Sequence, residues 1–484
     1  MKSEPNNYLL APNIYLFAYQ LRDGLAEGKT NSFWQKSDKL LSQFTTETLT
    51  QYLDFSPAES SDRAILLDGK DALYFSLSDS PEISGSVQPL QIQDSYGLFF
   101  NIGYDDEVES LEEVELKELG KFNPDGVLHL PESDNLLGQT LLITGYLPNP
   151  NKQRDLANMQ RVANNCYEGL LGNNPPPLYR YGELFGSSIF EYGNPNKIGR
   201  QTNNYCHVII WLFRDEGADK QANKCLNDIV NLLFYRAKMV KGFSDRRLVY
   251  QQLDREYAQI EKNLDDLQKQ LDTRDASTNE RYLKDFQTQL KNLARDSLAY
   301  TRLLRKMEDF GNTIEINLFN YKETIEQICD KLETDKEELS FLKYFGEETA
   351  PHFYRQIQAD LGYFEHGTDL ISQAIASIRG IVEIDRAESD RLREEREKQQ
   401  EEERAKRDRD LEDQVQAVGV GIAAGAIFAS TSGLITQPWT LPSSDRPVLW
   451  PHPFIIAFVG SIFFSWAGWW VAWKAIERRR SGRS

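Results

Sequence analysis

The sequence predicts, in order and in four segments, an α/β cytoplasmic domain, a long antiparallel helical bundle with a stalk, and a C-terminal two-helix transmembrane hairpin. Three observations predict it. Short runs of branched and aromatic residues alternate with helical patterns up to about residue 215. Beyond it, apolar residues recur at helical spacing with almost no Gly or Pro. Two uncharged runs, 415–435 and 453–473, close the chain. The parts fall at 1–215 (α/β domain), 216–382 (long-helix bundle), 383–413 (charged stalk helix) and 414–484 (hairpin and basic tail).

In the first part, residues 14–19, 72–77, 98–102, 140–146 and 207–213 read as strands, because β-branched and aromatic side chains suit a pleated, buried surface. Helical patterns follow two of them, at 32–53 and 154–171. Pro and Gly clusters at 174–177 and 193–195 mark turns. Strand, helix and further strands thus occur twice, which reads as a weak duplication without a residue-level repeat.

From 218 to 272 the apolar positions Leu226, Ile229, Leu232, Leu233, Leu253, Ile260 and Leu264 keep helical spacing. A turn at 275–279 leads to a second long helix, 280–333, with Leu283, Phe286, Leu290 and Leu293 on its stripe. Two such helices of similar length form a coiled-coil-like hairpin. A third helical region begins near Lys336, and only Gly380 weakens it before the apolar runs. Over 383–413, Glu394–Lys398, Glu402–Lys406 and Glu403–Arg407 stand at i,i+4 in the favourable order. With no apolar seam, this segment reads either as a solvated spacer or as the wall of a water-filled funnel.

Each apolar run has 21 residues, about 31 Å as a helix, enough to cross a hydrocarbon core. Between them Pro438, Pro442, Pro447 and Pro451 make a loop. Trp439 and Trp450 mark one interface; Trp466, Trp469, Trp470 and Trp473 mark the other. Arg391, Arg393, Arg396, Lys398, Arg404, Lys406, Arg407 and Arg409 precede the first run, and Lys474 and four arginines follow the second, whereas the loop holds Arg446 alone. The positive-inside rule then predicts a multi-pass protein of the cell inner membrane with both termini cytoplasmic. The polar stretch 1–7 does not read as a signal peptide.

The chain carries 55 Lys plus Arg against 74 Asp plus Glu, a net charge of −19. So acidic a surface does not suit nucleic acid, and none is predicted as a partner. Cys166, Cys206, Cys225 and Cys329 form no C-x-x-C pair and read as free thiols in a reducing compartment. Gly28-Lys29-Thr30 lacks the upstream glycine of a phosphate loop, since Asp23 stands there, and reads as an exposed turn. The acidic run from Asp105 to Glu118 lacks the spacing of a calcium loop and reads as a solvated face. His129, His207, His352, His366 and His452 make no H-x-x-x-H, and no nucleophile motif is present. No catalytic, cofactor-binding or metal-ligating residue is predicted, no cofactor is expected, and the chain does not read as an enzyme.

Inside the first run, Gly421 and Gly425 form G-x-x-x-G beside Ala417, Gly419, Ala423 and Ala424, a candidate helix-packing face. Ser430, Thr431, Ser432 and Gly433 near its outer end are the candidate pore-lining residues. Their hydroxyls either meet a hydrated ion or bond back to the i−4 carbonyl.

A cytoplasmic α/β domain, long helices, one helix continuing into a first span, a short outer loop, a second span and a basic tail together resemble the CorA-like family of two-span divalent-cation transporters. The resemblance makes the predicted hairpin CorA-like in type; it covers residues 216–484 and extends less closely to the α/β part. It implies a homo-oligomer, a pentamer, with first spans around a pore. The family's Gly-Met-Asn falls on Gly433-Leu434-Ile435, where the glycine matches and Ile435 offers no oxygen to a hydrated ion. The loop has Asp445 alone in place of an acidic ring. The expectation is a homo-oligomeric ion channel or transporter in the lipid bilayer, gated by its cytoplasmic domain, with the ion unassigned and cations as candidate partners. The alternative is a membrane-anchored, ligand-sensing stress or defence effector, or a non-conducting scaffold.

Overall fold

Strand β1, Tyr8–Leu21, sets the architecture of the N-terminal part. Leu16 and Ala18 point to one face and Phe17 and Tyr19 to the other, and all four are buried. A strand apolar on both faces needs cover on both. The computed structural model describes residues 7–22, 28–56, 63–77, 79–104, 113–131, 133, 135–148, 155–172, 174–197, 207–272, 279–335, 337–432 and 453–481.

The other strands are β2 (Arg63–Ile65), β3 (Leu73–Leu77), β4 (Ser80–Ile92), β5 (Ser95–Tyr104), β6 (Glu113–Glu115), β7 (Leu136–Tyr146), β8 (Leu178–Leu184), β9 (Ser187–Tyr192) and β10 (His207–Phe213). They form one sheet in the order β2-β4-β5-β1-β7-β10-β9-β8, with β3 also on β4 and β6 on β1. Every described pairing is antiparallel except β7 with β10. The expected strands all lie in this sheet, and the expected 207–213 coincides with β10. The two strand–helix–strands halves differ in sense: β5 returns antiparallel to β1, whereas β10 returns parallel to β7. They are not copies of one topology.

One face of the sheet is covered by α1 (Ser32–Leu41) and α3 (Leu156–Leu171), through Phe33, Trp34, Leu40, Met159, Val162 and Cys166. Asn31 caps α1, its Oδ1 accepting from the Phe33 amide at 2.8 Å. The helical pattern expected over 32–53 stops at Leu41, and a short α2 (Leu49–Tyr52) follows. Thr45, Thr46 and Thr48 lie in the gap, where β-branching and hydroxyl competition disfavour helix. The left-handed Gly172, φ 68°, ends α3.

The opposite face is covered by α4 (Glu216–Lys224), α5 (Leu226–Asp272) and α7 (Ser340–Tyr344). Helix α6 (Asn279–Leu332) and the start of α8 (Ala350–Ser432) complete a three-helix bundle with α5. A five-residue π turn, Phe345–Thr349, joins α7 to α8. Phe243 stacks on Phe353 at 3.9 Å between centroids, and Tyr250 and Tyr257 meet Phe364, so α5 and α8 advance together. Tyr300 reaches Phe364 while Gly311 faces Ile357, so α6 runs the other way. The helical run expected to start near Lys336 begins at Ser340, Lys336 lying outside the described residues, and continues through Gly380.

Two compact units result: Met1–Asp275 with Gln289–Ala376, and Ala276–Thr288 with Ser377–Ser484. The second contains the rest of α8 and the last helix, α9 (Pro453–Ser481).

Candidate functional site

Among the described residues, one helix is long and apolar enough to cross a membrane, Ile455–Arg478 within α9. Its 24 residues span about 36 Å. The earlier apolar run is helical as far as Ser432, and its last residues, 433–435, lie outside the described residues. The last part of α8 packs antiparallel on α9 through small residues. A Cβ on Gly421 would stand 2.8 Å from the Ser465 carbonyl and 3.0 Å from Trp469 Cβ. One on Gly425 would collide with the Ser465 side chain, and one on Gly468 would lie 2.9 Å from Ala424 Cβ. Only residues without bulk let the two backbones approach this closely.

The large side chains of this pair point outward. Val415, Val418, Ile422 and Ile427 of α8 are exposed, as are Ile456, Phe458, Ile462, Phe463, Trp466 and Val471 of α9. A helix pair in water buries its large apolar residues. This pair buries Ala417, Gly421, Gly425 and Ala457, half-buries Ser461 and Ser465, and presents the large residues to its surroundings. At the basic end of α9, Lys474 Nζ sits 4.4 Å over the Trp470 ring and Trp469 stacks with Trp473.

The expected packing residues, Gly421 and Gly425, therefore lie in the seam with α9 of the same chain. Of the expected pore residues, Ser430 is exposed, and its hydroxyl donates to the Ala426 carbonyl at 2.6 Å. Thr431 and Ser432 are the last two residues of α8, and Gly433 lies outside the described residues. A second small or polar stripe, Gln416, Gly419, Ala423, Ala426 and Ser430, recurs at i, i+3, i+7, i+10 and i+14. It occupies the side of α8 opposite the seam, all five residues are exposed, and a Cβ on Gly419 would meet open space. Upstream, 391–412 is exposed throughout.

The sheet domain holds a different cluster. Arg180 on β8, Glu191 on β9, His207 on β10 and Arg236 on α5 converge beneath α7 and the π turn. Glu191 Oε1 lies 3.0 Å from both His207 Nε2 and the Arg236 guanidinium, while Oε2 accepts from Arg180 at 3.2 Å. Thr140 Oγ1 lies 2.7 Å from His207 Nδ1. Burial alone would raise the Glu191 pKa, but the His207 hydrogen bond and the nearby arginines outweigh it and hold the carboxyl down at about 2. Burial and the Arg236 charge push His207 down to about 4, against the pull of Glu191. The imidazole is therefore neutral: Nε2–H donates to Glu191 and Nδ1 accepts from Thr140.

Two guanidiniums and one carboxylate leave this buried group one positive charge in excess. Aromatic faces take up part of it: Arg180 lies 4.0 Å over Phe341 and 4.5 Å over Tyr344, and Arg236 lies 5.1 Å from Phe345. Arg180 also donates to the Phe341 carbonyl at 2.7 Å, and Tyr321 Oη donates to the Leu342 carbonyl at 2.8 Å. The adjoining apolar cavity is about 40 Å³, space for a water and no organic ligand. The cluster thus fixes the sheet edge to α5 and to the entry of α8.

Sequence reasoning missed Glu191, Arg180 and Arg236 and gave His207 no role. The available signals were a histidine opening an otherwise apolar strand and an arginine inside the largely apolar stretch 229–240, which also holds Asn231 and Lys238. No group of three His, Cys, Asp or Glu among the described residues is placed to hold a metal ion. Comparison of the chain with protein-family models, curated proteins and solved structures gives no match.

Proposed function

We propose that this chain is a homo-oligomeric ion channel or transporter of the cell inner membrane, gated by its cytoplasmic domain. Its C-terminal hairpin crosses the bilayer twice, with both termini in the cytoplasm. The observation that carries this reading is the pair of opposed small faces on α8. One is filled by α9. The other, from Gln416 to Ser430, presents an amide, a hydroxyl and backbone where lipid favours large apolar side chains. A second copy of the chain, or water in a conduit ringed by several copies, suits that face. The bases flanking the hairpin and the Lys474–Trp470 contact support the orientation. The CorA-like resemblance adds the expectation of a pentamer, with cations as candidate partners.

The alternative, a non-conducting membrane-anchored effector or scaffold, has one observation in its favour: the Ser430 hydroxyl spends its proton on the Ala426 carbonyl. Liposome reconstitution decides between them. Cation flux that falls when Thr431 and Ser432 are replaced by Ala supports the channel. Absence of flux with and without cytosolic extract transfers the reading to the anchored effector. Cysteines at Ser443 and Ser481 test the topology, the first labelled from outside intact cells and the second protected. Outside labelling at both positions refutes the two-span arrangement.

A further inference from the structure

Strands β7 and β10 are adjacent and parallel, but the chain leaves them to opposite faces of the sheet. After β7 it goes to α3, and after β10 it goes to α4. Such a divergence opens a crevice beyond the carboxyl ends of the two strands, the place where open α/β sheets bind ligands. Near those ends, on the α4 face of the sheet, lies a cavity of about 240 Å³ whose described lining includes no residue of the β7–α3 connection. It is bounded by Tyr146 and Phe213, the last residues of β7 and β10, and by Asp219 and Asn223 of α4. The sheet supplies its floor with Asn13 and Asn101 beside Tyr15 and Phe99.

The floor is built around its polar groups. A Cβ on Gly103 would coincide with the Asn13 amide, so glycine there makes room for that side chain. Two residues earlier Ala11, which also lines the cavity, is held at φ 43°, beside a register shift in the β1–β7 pairing. Backbone held in the left-handed region by a non-glycine residue concentrates at binding sites. The Asn101 amide makes only long contacts, 3.5 Å to Asn13 Oδ1 and 3.5 Å to the Ile14 carbonyl, which a ligand could replace with shorter ones. On the opposite wall Asp219 Oδ2 accepts from Tyr146 Oη at 2.8 Å and Oδ1 from Asn223 at 3.3 Å, which leaves each oxygen a further lone pair.

We infer that this crevice binds the vicinal diol of an unphosphorylated sugar or nucleoside. Two neighbouring hydroxyls donate to the two oxygens of Asp219, and the asparagine amides, each donor and acceptor, read the remaining ring groups. The aromatic wall of Tyr15, Phe99 and Phe213 covers the apolar face of the ring. No Lys, Arg or His is among the described residues that line the cavity. Lys220, which feels the Asp219 charge, is outside the lining and pairs with Glu216 at 2.9 Å, so a phosphate near Asp219 meets no cation within the cavity and phosphorylated forms are disfavoured.

The test is calorimetric titration of the full chain in detergent with four probes: adenosine, D-ribose, D-glucose and AMP. Saturable binding of adenosine and ribose identifies a nucleoside, and binding of glucose identifies a free sugar. AMP is expected to bind at least about tenfold more weakly than adenosine, from uncompensated charge near Asp219. Asp219→Asn and the exposed Asn223→Ala should each weaken the bound probe, the first by at least about tenfold through loss of the hydroxyl acceptors. Unchanged melting temperatures show that both variants fold. Failure of adenosine, ribose and glucose to bind, AMP binding as tight as adenosine, or undiminished binding by Asp219→Asn overturns the inference.

Discussion

Gly425 of α8 and Ser465 of α9 meet so closely that no β-carbon fits between them. The seam continues through Gly421 and Gly468, so the antiparallel contact depends on three glycines. Replacing Gly425 with Leu forces the helices apart, an overpacking cost of about 1–3 kcal/mol. Half-buried Ser461, carried as a cysteine, should then react faster with maleimide in micelles. Gly419→Leu, which enters open space, should leave that rate unchanged. Equal rates in the Gly425 variant and the parent would mean that the seam does not hold the two helices together.

A second glycine contact is in the three-helix bundle. Tyr300 Oη donates to the Phe364 carbonyl at 2.6 Å, and a Cβ on Gly367 would stand 2.5 Å from that hydroxyl and 2.9 Å from Tyr257 Cδ2. Gly367→Ala gains helix propensity, about 1 kcal/mol, but must displace the buried Tyr300 and the half-buried Tyr257 at a cost of about 1–3 kcal/mol. The net is destabilising. Tyr300→Phe alone loses one hydrogen bond, about 1 kcal/mol, and removes the atom that the added methyl group strikes first. Urea denaturation of the two single variants and the double should therefore show a double less destabilised than the sum. Strict additivity would contradict the contact.

The buried cluster makes stability depend on pH in one direction. His207 is held at about 4 against an ordinary 6.5, so below 6.5 the unfolded chain takes up a proton that the folded chain refuses. Stability from this group is complete above 6.5 and falls as pH drops toward 4. Glu191, held at about 2 against 4.5, adds a further loss from 4.5 downward. Thermal unfolding at pH 7.5, 6 and 5 should show a falling midpoint, and His207→Gln should flatten most of the decline between 6.5 and 5. A parent midpoint constant across this range would show that His207 is not buried neutral.

How much of this was readable in the sequence depends on burial and charge. The run 207–213 could be placed to the residue because all seven side chains are buried and six are apolar. Strand β4, Ser80–Ile92, escaped because it carries Ser, Gln, Gly85 and Pro89, residues with weak strand signals. Strands β8 and β9 escaped because Arg180, Glu183 and Glu191 interrupt them. Two of those charges, Arg180 and Glu191, build the buried cluster, so the missed strands and the missed site share a cause. Cross-strand pairing with β8 and β10 and the reach of Arg236 from α5 make the buried Glu191 tolerable, and a single chain read linearly does not show it. The glycines at 421 and 425 were conspicuous as a motif, but their partner, Ser465 with Gly468, is weakly marked within the second apolar run.

The exposed stripe on α8 gives the last prediction, which bears on assembly and conduction together. Gln416, Gly419, Ala423, Ala426 and Ser430 share one side of the helix, and the large residues Val415, Val418, Ile422 and Ile427 lie to either side of it. If copies of the chain meet on this stripe, Ala423→Phe adds a ring where small residues allow close approach. The oligomer should then weaken, seen as a lower mass by light scattering in mild detergent. If the stripe faces a water-filled conduit, the same ring narrows it: the mass is retained and cation flux in liposomes falls. Ile422→Phe, a large residue replaced by a larger one beside the stripe, is the control and should change neither quantity. Loss of mass places Ala423 between copies, and loss of flux at constant mass places it in the pore. Retention of both mass and flux in Ala423→Phe would show that the stripe faces lipid, and the oligomeric pore would lose the observation that supports it.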